Sequence, residues 1–280
     1  MEKSAIVAIA KNEELYLQEW IDYHKNLGFD YVFICDNNDL DNDGQLNLIK
    51  RNKTKCIGIN VRGREQLEKV GYQTGLYKFS YNYIKENYTD VGWIAFLDVD
   101  EFLDLDGMKV NQFLNQDKFK DADLIHVNWM CYGDNELVHY DPRPVMERFT
   151  KPLPIDALYD TFYLNKGIYI NKHVKSIVRV NDNFKEFYTP HTVLFKNECK
   201  CVNVAGKPVD NTEPWQTICY EGGHIKHFIT KSTEEFKKRK CMDNNRADAT
   251  FNSKRNEEIE HYFSINTRTW AKWCLFNNLS

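Results

Sequence analysis

The stretch Trp93–Leu103 reads WIAFLDVDEFL, and the prediction of the fold starts from it. Its first five residues are apolar, which is typical of a strand buried on both faces of a parallel sheet. Three carboxylates then follow within four positions, at Asp98, Asp100 and Glu101. Ligands of open α/β sheets bind beyond the carboxyl ends of the strands. We therefore expect this acidic segment to lie in a ligand-binding crevice.

Strand and helix patterns alternate on both sides of this stretch, which predicts βαβ units and a mainly parallel sheet. Asn12 is expected to cap the first helix, Gly28 to end it, and a long helix is expected over 64–87. The fold class is therefore α/β, Rossmann-like with flanking helices. The predicted strands are Ser4–Ala10, Tyr31–Asp36, Cys56–Val61, Gly92–Asp98 and Asp123–Met130.

The texture of the sequence changes after Pro142, where prolines cluster and short β-like runs continue to about His227. Two helical patterns close the chain, at Thr233–Asn245 and Asn256–Phe276. These patterns predict a C-terminal extension with strands and helices, packed with the first half in one compact domain.

Composition limits the classes of function. The 280 residues carry a formal net charge of -4, which argues against nucleic acid as a partner. No apolar run approaches the ~20 residues that cross a bilayer, and Met1–Ser4 leads directly into a strand, so no secretory segment is expected. The eight cysteines are irregularly spaced, as in reduced cytoplasmic proteins. We expect a cytoplasmic protein.

Asp98 and Asp100 form a DxD pair at the predicted end of the fourth strand. On extended backbone, residues two apart project from the same face. Two neighbouring carboxylates repel each other, and a divalent cation relieves that repulsion. Oxygen ligands of this kind suit Mg²⁺ or Mn²⁺, which often take substrate phosphates as further ligands. The other interpretation is a solvated acidic turn. Glu101 is expected to face away from the pair and to anchor the following turn.

Three segments together resemble the GT-A-fold glycosyltransferases, and the nearest likeness is to family 92-like and family 2-related bacterial enzymes of surface polysaccharide synthesis. The segments occur in the order of the family. They are AIAKNEELYLQEWIDYHKNLGFDYVFICDNN from Ala8, DVDEFL from Asp98 and HIKHFITKSTEEFKKRK from His224. The resemblance implies a GT-A fold, a sugar-nucleotide donor and a metal ion. It also implies a nucleotide-sugar-binding half over residues 1–145 and an acceptor-binding region over residues 146–280.

The resemblance also implies site residues. Asn12 and Glu13 match the loop that lines the nucleotide pocket, and Asp36 matches the acidic residue that contacts uracil or ribose. The DxD pair matches the metal ligands, and His227 matches a histidine that completes the metal site, with His224 as its rival. The cation expected to neutralise the diphosphate is Lys175, with Lys231 as second choice.

The chemistry expected of such an enzyme is sugar transfer from a UDP-sugar, where the metal and a lysine stabilise the leaving diphosphate. The acceptor hydroxyl needs a general base if the reaction inverts the anomeric centre. The loop Met130–Leu137 offers Asp134 and Glu136, and we choose Asp134. Galactose is the candidate sugar, since known family 92 members transfer it with inversion.

The expected acceptor is a glycan or a lipid-linked glycan. The segment Arg268–Phe276 mixes aromatic and basic residues, so peripheral contact with the inner membrane face is considered beside a packed terminal helix. Two other functions stay open: a metal-dependent phosphohydrolase that acts on nucleotide sugars, and a non-catalytic glycan-binding module. UDP release that depends on both Mn²⁺ and an acceptor separates the transferase from the phosphohydrolase. A binding module predicts an affinity for glycan that does not depend on nucleotide.

Overall fold

A computed structural model of the protein describes residues 2–62, 72–158, 168–241 and 251–277. The strands are β1 Lys3–Ala10, β2 Tyr31–Asp36, β3 Ile57–Asn60, β4 Val91–Phe96, β5 Glu101–Asp104, β6 Leu124–Cys131, β7 Val174–Arg179, β8 Phe184–Phe187, β9 Val193–Phe195, β10 Cys201–Asn203 and β11 His224–His227. The helices are α1 Leu17–Leu27, α2 Gly44–Arg51, α3 Tyr72–Asn87, α4 Val110–Leu114, α5 Val145–Arg148, α6 Thr233–Phe236, α7 Phe251–Ile265 and α8 Trp270–Asn277.

One large sheet contains most of the strands, in the order β3-β2-β1-β4-β7-β6-β11-β5, with β10 beside β6. Strands β1 to β4 run parallel, as do β6 and β10. Strand β7 runs antiparallel to both β4 and β6. The predicted α/β class, with a mainly parallel sheet and flanking helices, is confirmed. Strands β8 and β9 form a separate antiparallel hairpin.

Helix α1 holds the chain that follows β4. The indole Nε1 of Trp20 donates a 2.9 Å hydrogen bond to the carbonyl of Glu101. His24 accepts a hydrogen bond from the backbone of Leu103 through Nε2, and its Nδ1 lies 2.9 Å from the carbonyl of Trp20. Burial lowers the pKa of His24 to about 3, so its ring is neutral and suits both contacts. The helix predicted to end at Gly28 ends there, with Gly28 in the left-handed conformation.

Several local predictions are wrong. Asn12 does not cap α1, because it has a left-handed φ of 57° and the helix begins only at Leu17. The single helix predicted over Asn256–Phe276 is two helices, α7 and α8, separated at 266–269. Helix α6 ends at Phe236 and passes into a π-helical turn, Lys237–Cys241. The rest of the helix predicted to Asn245, and the predicted helix start over 64–71, lie outside the described residues.

The chain divides into two compact units. The first contains Met1–Trp129 and Lys172–Ile225, and the second contains Met130–Asn171 and Lys226–Ser280. The chain returns to the first unit after residue 171 to form β7 to β10. The assignment of donor binding to residues 1–145 and of acceptor binding to residues 146–280 stays a prediction. No helix within the described ranges has the length and apolar character needed to cross a bilayer.

Each unit has its own apolar core. In the first unit, side chains from β1, β2, β4 and α3 pack together; members include Ala5, Val7, Phe33, Leu76, Tyr77, Ile84 and Phe96. In the second unit, a smaller aromatic cluster joins α6, α7 and α8; its buried members are Phe236, Ile259, Tyr262 and Phe276. The candidate site of the first unit is therefore supported by α3 as well as by the sheet.

Candidate functional site

The acidic segment lies where the strand order of the sheet reverses. From β1 the chain adds β2 and β3 on one side, and then adds β4 on the other side. Strand β4 runs parallel to β1, with Val7 paired with Phe96, and ends there. Asp98 follows two residues later. In open α/β sheets such a switch point, at the carboxyl ends of the strands, is where ligands bind.

The sequence pattern places the DxD residues on extended backbone, and this prediction is wrong. Instead the chain turns after β4: the amide of Glu101 bonds to the carbonyl of Asp98 at 3.0 Å. The carboxylate of Glu101 reaches back and accepts a 2.8 Å hydrogen bond from the amide of Asp98. Glu101 anchors a turn, as expected. The prediction that it faces away from the pair is wrong, since its buried side chain reaches back to Asp98.

Lys175 on β7 is the cation of this turn. Its Nζ lies 2.8 Å from Oδ2 of Asp98 and 3.5 Å from Oε2 of Glu101. The other carboxylate oxygen of Asp98 accepts hydrogen bonds from Gln73 and Tyr77, one helical turn apart on α3, at 2.9 and 3.1 Å. The side chain of Asp98 is 34% exposed, whereas that of Lys175 is 1% exposed. In this arrangement Lys175 meets a ligand only through Asp98.

Burial and charge act in opposite directions within this cluster. Burial raises the pKa of Asp98, but the charge of Lys175 outweighs it, so the pKa lies below its usual value. For Glu101 burial dominates and raises the pKa well above the usual range, with Asp98 and Asp100 adding to the rise. Burial lowers the pKa of Lys175, but the two carboxylates raise it by more than burial lowers it. The pKa of Lys175 therefore lies well above the ordinary value. We conclude that Asp98 and Lys175 form the ion pair and that burial favours the protonated form of Glu101.

A Glu101→Gln variant should change the pH dependence of stability. The folded wild type keeps a proton on Glu101 that the unfolded chain loses above pH 4.5, so wild-type stability falls as the pH rises toward the folded pKa. Glutamine removes this loss. The free energy of unfolding of the variant relative to wild type should therefore rise by up to about 1.4 kcal/mol per pH unit. Urea denaturation at pH 5, 6 and 7 measures this difference in free energy of unfolding. Glu186→Gln, at a half-exposed position, is the control. If the difference between Glu101→Gln and wild type did not change with pH, the raised pKa of Glu101 would be contradicted.

The contacts of Asp98 do not fit the predicted Mg²⁺ or Mn²⁺ ligand. Both of its oxygens accept hydrogen bonds from protein groups, and one is paired with an ammonium ion. No group of three His, Cys, Asp or Glu side chains in the described part of the chain is arranged to hold a metal. The second member of the pair, Asp100, is 4% exposed within the turn. A cation at Asp98 and Asp100 stays a prediction, and it requires Lys175 to release Asp98.

Asp36 ends β2 at the same edge of the sheet, where its partner in β1 is Ala10. It is buried, and Nη2 of Arg62 lies 2.7 Å from its Oδ2. Gln45 donates a 2.8 Å hydrogen bond to the other oxygen. Arg62 also contacts Asp43, at 2.8 Å. Asp36 thus fixes Arg62 and the loop before α2, and its predicted contact with uracil or ribose stays untested.

The loop after β1 carries the other predicted nucleotide contacts. The backbone amide of Asn12 donates a 2.7 Å hydrogen bond to Asn38, and the side chain of Asn12 accepts one from Asn42. The carbonyl of Glu13 accepts the amide of Leu17 at 2.9 Å, which starts α1. Asn12 is exposed. The structure therefore brings Asn12, Glu13 and Asp36 to the same edge of the sheet as Asp98.

The proposed base, Asp134, lies in the second unit and is 2% exposed. Its Oδ2 is 2.7 Å from Nζ of Lys272, which is fully buried. The hydroxyl of Tyr262 also donates to Oδ2, and the amide of Glu136 donates to Oδ1 at 2.9 Å. Burial and the charge of Asp134 raise the pKa of Tyr262, which keeps the hydroxyl protonated. Both carboxylate oxygens are thus engaged, and a role of Asp134 as base stays a prediction.

The remaining predicted residues of the second unit are buried as well. His227 on β11 is 6% exposed, and its Nδ1 lies 3.9 Å from the sulfur of Cys131. Lys231 has a left-handed φ of 56° immediately before α6. Ser232 caps that helix and forms a capping box with Glu235. The metal role of His227 and the diphosphate role of Lys231 stay predictions. The rival His224 belongs to the first unit, where its ring packs on Tyr220 at 5.7 Å.

No protein-family model and no curated protein matches the chain. Solved structures of S. aureus TarS are similar to it. TarS 1–349 is 11% identical over 99% of this chain and 78% of that chain, with a TM-score of 0.39. A second TarS structure is 12% identical over 95% of this chain and 44% of that chain, with a TM-score of 0.38. TarS 1–349 in complex with UDP is 11% identical over 94% of this chain and 72% of that chain, with a TM-score of 0.39. At these TM-scores the backbones superpose only in part, so we base the function on the residues of this chain.

Proposed function

We propose that this protein is a glycosyltransferase that takes its sugar from a UDP-sugar bound beside Asp98. The observation that carries the proposal is the position of the charged cluster, which follows β4 where the strand order reverses. The family likeness of the segments around Asn12 and Asp98 supports the same assignment. So does the convergence of Asn12, Glu13, Asp36 and Asp98 on one edge of the sheet.

Asp98 is the residue of this cluster that is best placed to meet a ligand. Gln73, Tyr77 and Lys175 hold its carboxylate in one orientation. About a third of the side chain remains exposed, so it still accepts hydrogen bonds from a ligand. A carboxylate fixed in advance in this way binds a hydroxyl group without reorganisation, which is how active sites gain most from a polar group.

The charge balance of the cluster bears on the metal. The ammonium of Lys175 is paired with the carboxylate of Asp98, so its charge is not left over to neutralise a diphosphate. A diphosphate placed here is repelled unless a cation accompanies it. We therefore keep dependence on Mn²⁺ or Mg²⁺ in the proposal, although Asp98 itself is paired with Lys175. The ion would supply charge neutralisation at the diphosphate when bound.

The finer proposal follows the family likeness. The sugar is galactose, the reaction inverts the anomeric centre, and the acceptor is a glycan or a lipid-linked glycan met in peripheral contact with a membrane. Asp134 is the proposed base. To act as one, it has to exchange its bonds with Lys272 and Tyr262 for a bond to the acceptor hydroxyl.

A thermal-shift screen of UDP-, GDP- and CMP-sugars, each with and without Mn²⁺, tests the proposal. A ligand at a hundred times its Kd stabilises the folded state by about 2.7 kcal/mol. UDP and at least one UDP-sugar should therefore raise the melting temperature by about 5 °C, and GDP- and CMP-sugars should not. If none of the nucleotides raised the melting temperature, the proposal would be overturned. Hydrolysis of the UDP-sugar to UMP and a sugar 1-phosphate, without an acceptor, would favour the phosphohydrolase instead.

A further inference from the structure

His191 lies in the loop between β8 and β9 and is held against the strand that carries Lys175. Its ring Nδ1 is 2.8 Å from the carbonyl oxygen of Val174. Its own carbonyl accepts a 2.6 Å hydrogen bond from the hydroxyl of Ser176. These two contacts lie on either side of Lys175, whose ammonium bonds to Asp98. The loop is therefore fixed beside the candidate site.

The contact with Val174 determines which nitrogen of His191 carries the proton. A carbonyl oxygen only accepts hydrogen bonds, so Nδ1 is the donor and Nε2 of the neutral ring is a bare acceptor. No group within the described ranges donates a hydrogen bond to Nε2, and the ring is half-buried, with Nε2 not sealed from solvent. An acceptor of fixed position is thus open to a ligand.

The ring of His191 is also neutral and rigidly placed. Burial, and next the charge of Lys175, lower its pKa to about 3, while the charge of Asp98 acts on it in the opposite direction. Its ring stands at 74° to that of Trp129, with centroids 5.4 Å apart, and at 61° to that of His173, 5.8 Å away. Packing of this kind fixes the plane of the imidazole and with it the direction of the Nε2 lone pair.

We propose that Nε2 of His191 accepts a hydrogen bond from a hydroxyl group of the bound substrate and so positions that substrate beside Asp98. The inference rests on the proposed function, because a nucleotide sugar is what supplies the hydroxyl. Two parts of such a ligand carry hydroxyls, the ribose and the transferred sugar. A neutral acceptor suits either, since it pairs with a hydroxyl without needing a counter-charge. A metal is the other ligand of a neutral imidazole, but no three-residue metal cluster in the described part of the chain includes His191.

Two substitutions separate the acceptor from the contact that holds the loop. His191→Asn places an amide nitrogen near the Nδ1 position and lacks Nε2, whereas His191→Gln places an amide oxygen near the Nε2 position. Calorimetric titration with UDP, UDP-galactose and UDP-glucose measures the affinity of each variant. His191→Asn should bind the ligand whose hydroxyl it contacts about tenfold more weakly than wild type, because one hydrogen bond is lost. His191→Gln should bind within threefold of wild type. Weakening of the UDP-sugars alone identifies the sugar hydroxyl, and equal weakening of UDP identifies the ribose.

His126→Asn is the matched control, because His126 is also a histidine of the first unit held by a hydrogen bond, here to Asn211 at 3.1 Å, but it is buried. It should lower the melting temperature without changing affinity. Nitrogen NMR gives a second readout: the Nε2 resonance of His191 should move when the UDP-sugar binds. Unchanged affinity of His191→Asn for all three ligands would overturn the inference. Failure of the wild type to bind any of them would instead overturn the proposed function.

Discussion

Replacing Lys272 with methionine should lower the free energy of unfolding by about 3–5 kcal/mol, the cost of leaving one partner of a buried ion pair alone. Lys272 is fully buried and Asp134 is 2% exposed, with 2.7 Å between Nζ and Oδ2. Nζ also donates to the carbonyl of Thr267 at 3.0 Å. Without this ammonium, the buried carboxylate of Asp134 keeps the hydrogen bonds from the hydroxyl of Tyr262 and the amide of Glu136 but loses its counter-charge.

Urea denaturation followed by circular dichroism measures this loss. The double variant Lys272→Met with Asp134→Asn should recover part of the stability, because removing both charges relieves the unpaired carboxylate. Lys55→Met is the control: it breaks a pair with Asp22 in which both side chains are exposed, and it should cost less than about 1 kcal/mol. If Lys272→Met were as stable as this control, Asp134 would not depend on its lysine, and the description of the second unit would be wrong.

Asp98→Asn should reduce sugar transfer by about 100- to 1000-fold, the effect of removing one preorganised polar group from an active site. Asparagine keeps the shape of the side chain and an oxygen for the hydrogen bonds from Gln73 and Tyr77, but it removes the charge. The ammonium of Lys175 then loses its closer partner and is left with Glu101, 3.5 Å away. We expect the site to lose its fixed anionic acceptor.

The loss is measured as turnover with the UDP-sugar that the thermal-shift screen identifies. Circular dichroism at the assay temperature confirms that the variant is folded. Asp182→Asn is the matched control, since Asp182 also pairs with a lysine of the same unit but has a side chain that is 98% exposed. The control should keep wild-type turnover. If Asp98→Asn stayed within threefold of wild type, Asp98 would not belong to the active site.

The place of the candidate site could be predicted from the sequence, because it depends on one strand. Apolar residues that end in carboxylates predict a buried strand with a polar end, and β4 with Asp98 has this form. Arg62 could have been found by the same rule, since it follows β3 closely at the same edge. Gln73 and Tyr77 are four residues apart, so they share one helical face, yet nothing local says that this face meets Asp98.

The shape of the acidic turn could not be predicted in this way. Alternation along a strand predicts that Asp98 and Asp100 project together, but the side chain of Glu101 bonds to the backbone of Asp98 and turns the chain. The partner of Asp98 lies 77 residues away on β7, and the antiparallel placement of that strand brings it there. Lys175 was expected to contact the diphosphate. Only the pairing of the strands shows that its ammonium contacts the carboxylate of Asp98 instead.

His191 had no signal in the sequence. It lies in a hairpin loop outside every motif, and its significance comes from Val174 and Ser176, which hold it beside Lys175. The same holds for Asp134: its position after β6 made it a plausible base, whereas its contact with Lys272, more than a hundred residues later, depends on how α8 packs. Contacts between distant segments decide what a titratable group does, and spacing along the chain does not report them.

The central claim is that a UDP-sugar binds at the carboxyl ends of β1, β2 and β4. A crystal structure of the protein soaked with UDP and MnCl₂ tests it most directly. The account predicts density for UDP between the loop at Asn12 and the turn at Asp98, with Asp36 on the side of the uridine. Density for UDP elsewhere on the chain, with this edge of the sheet bonded only to solvent, would contradict it.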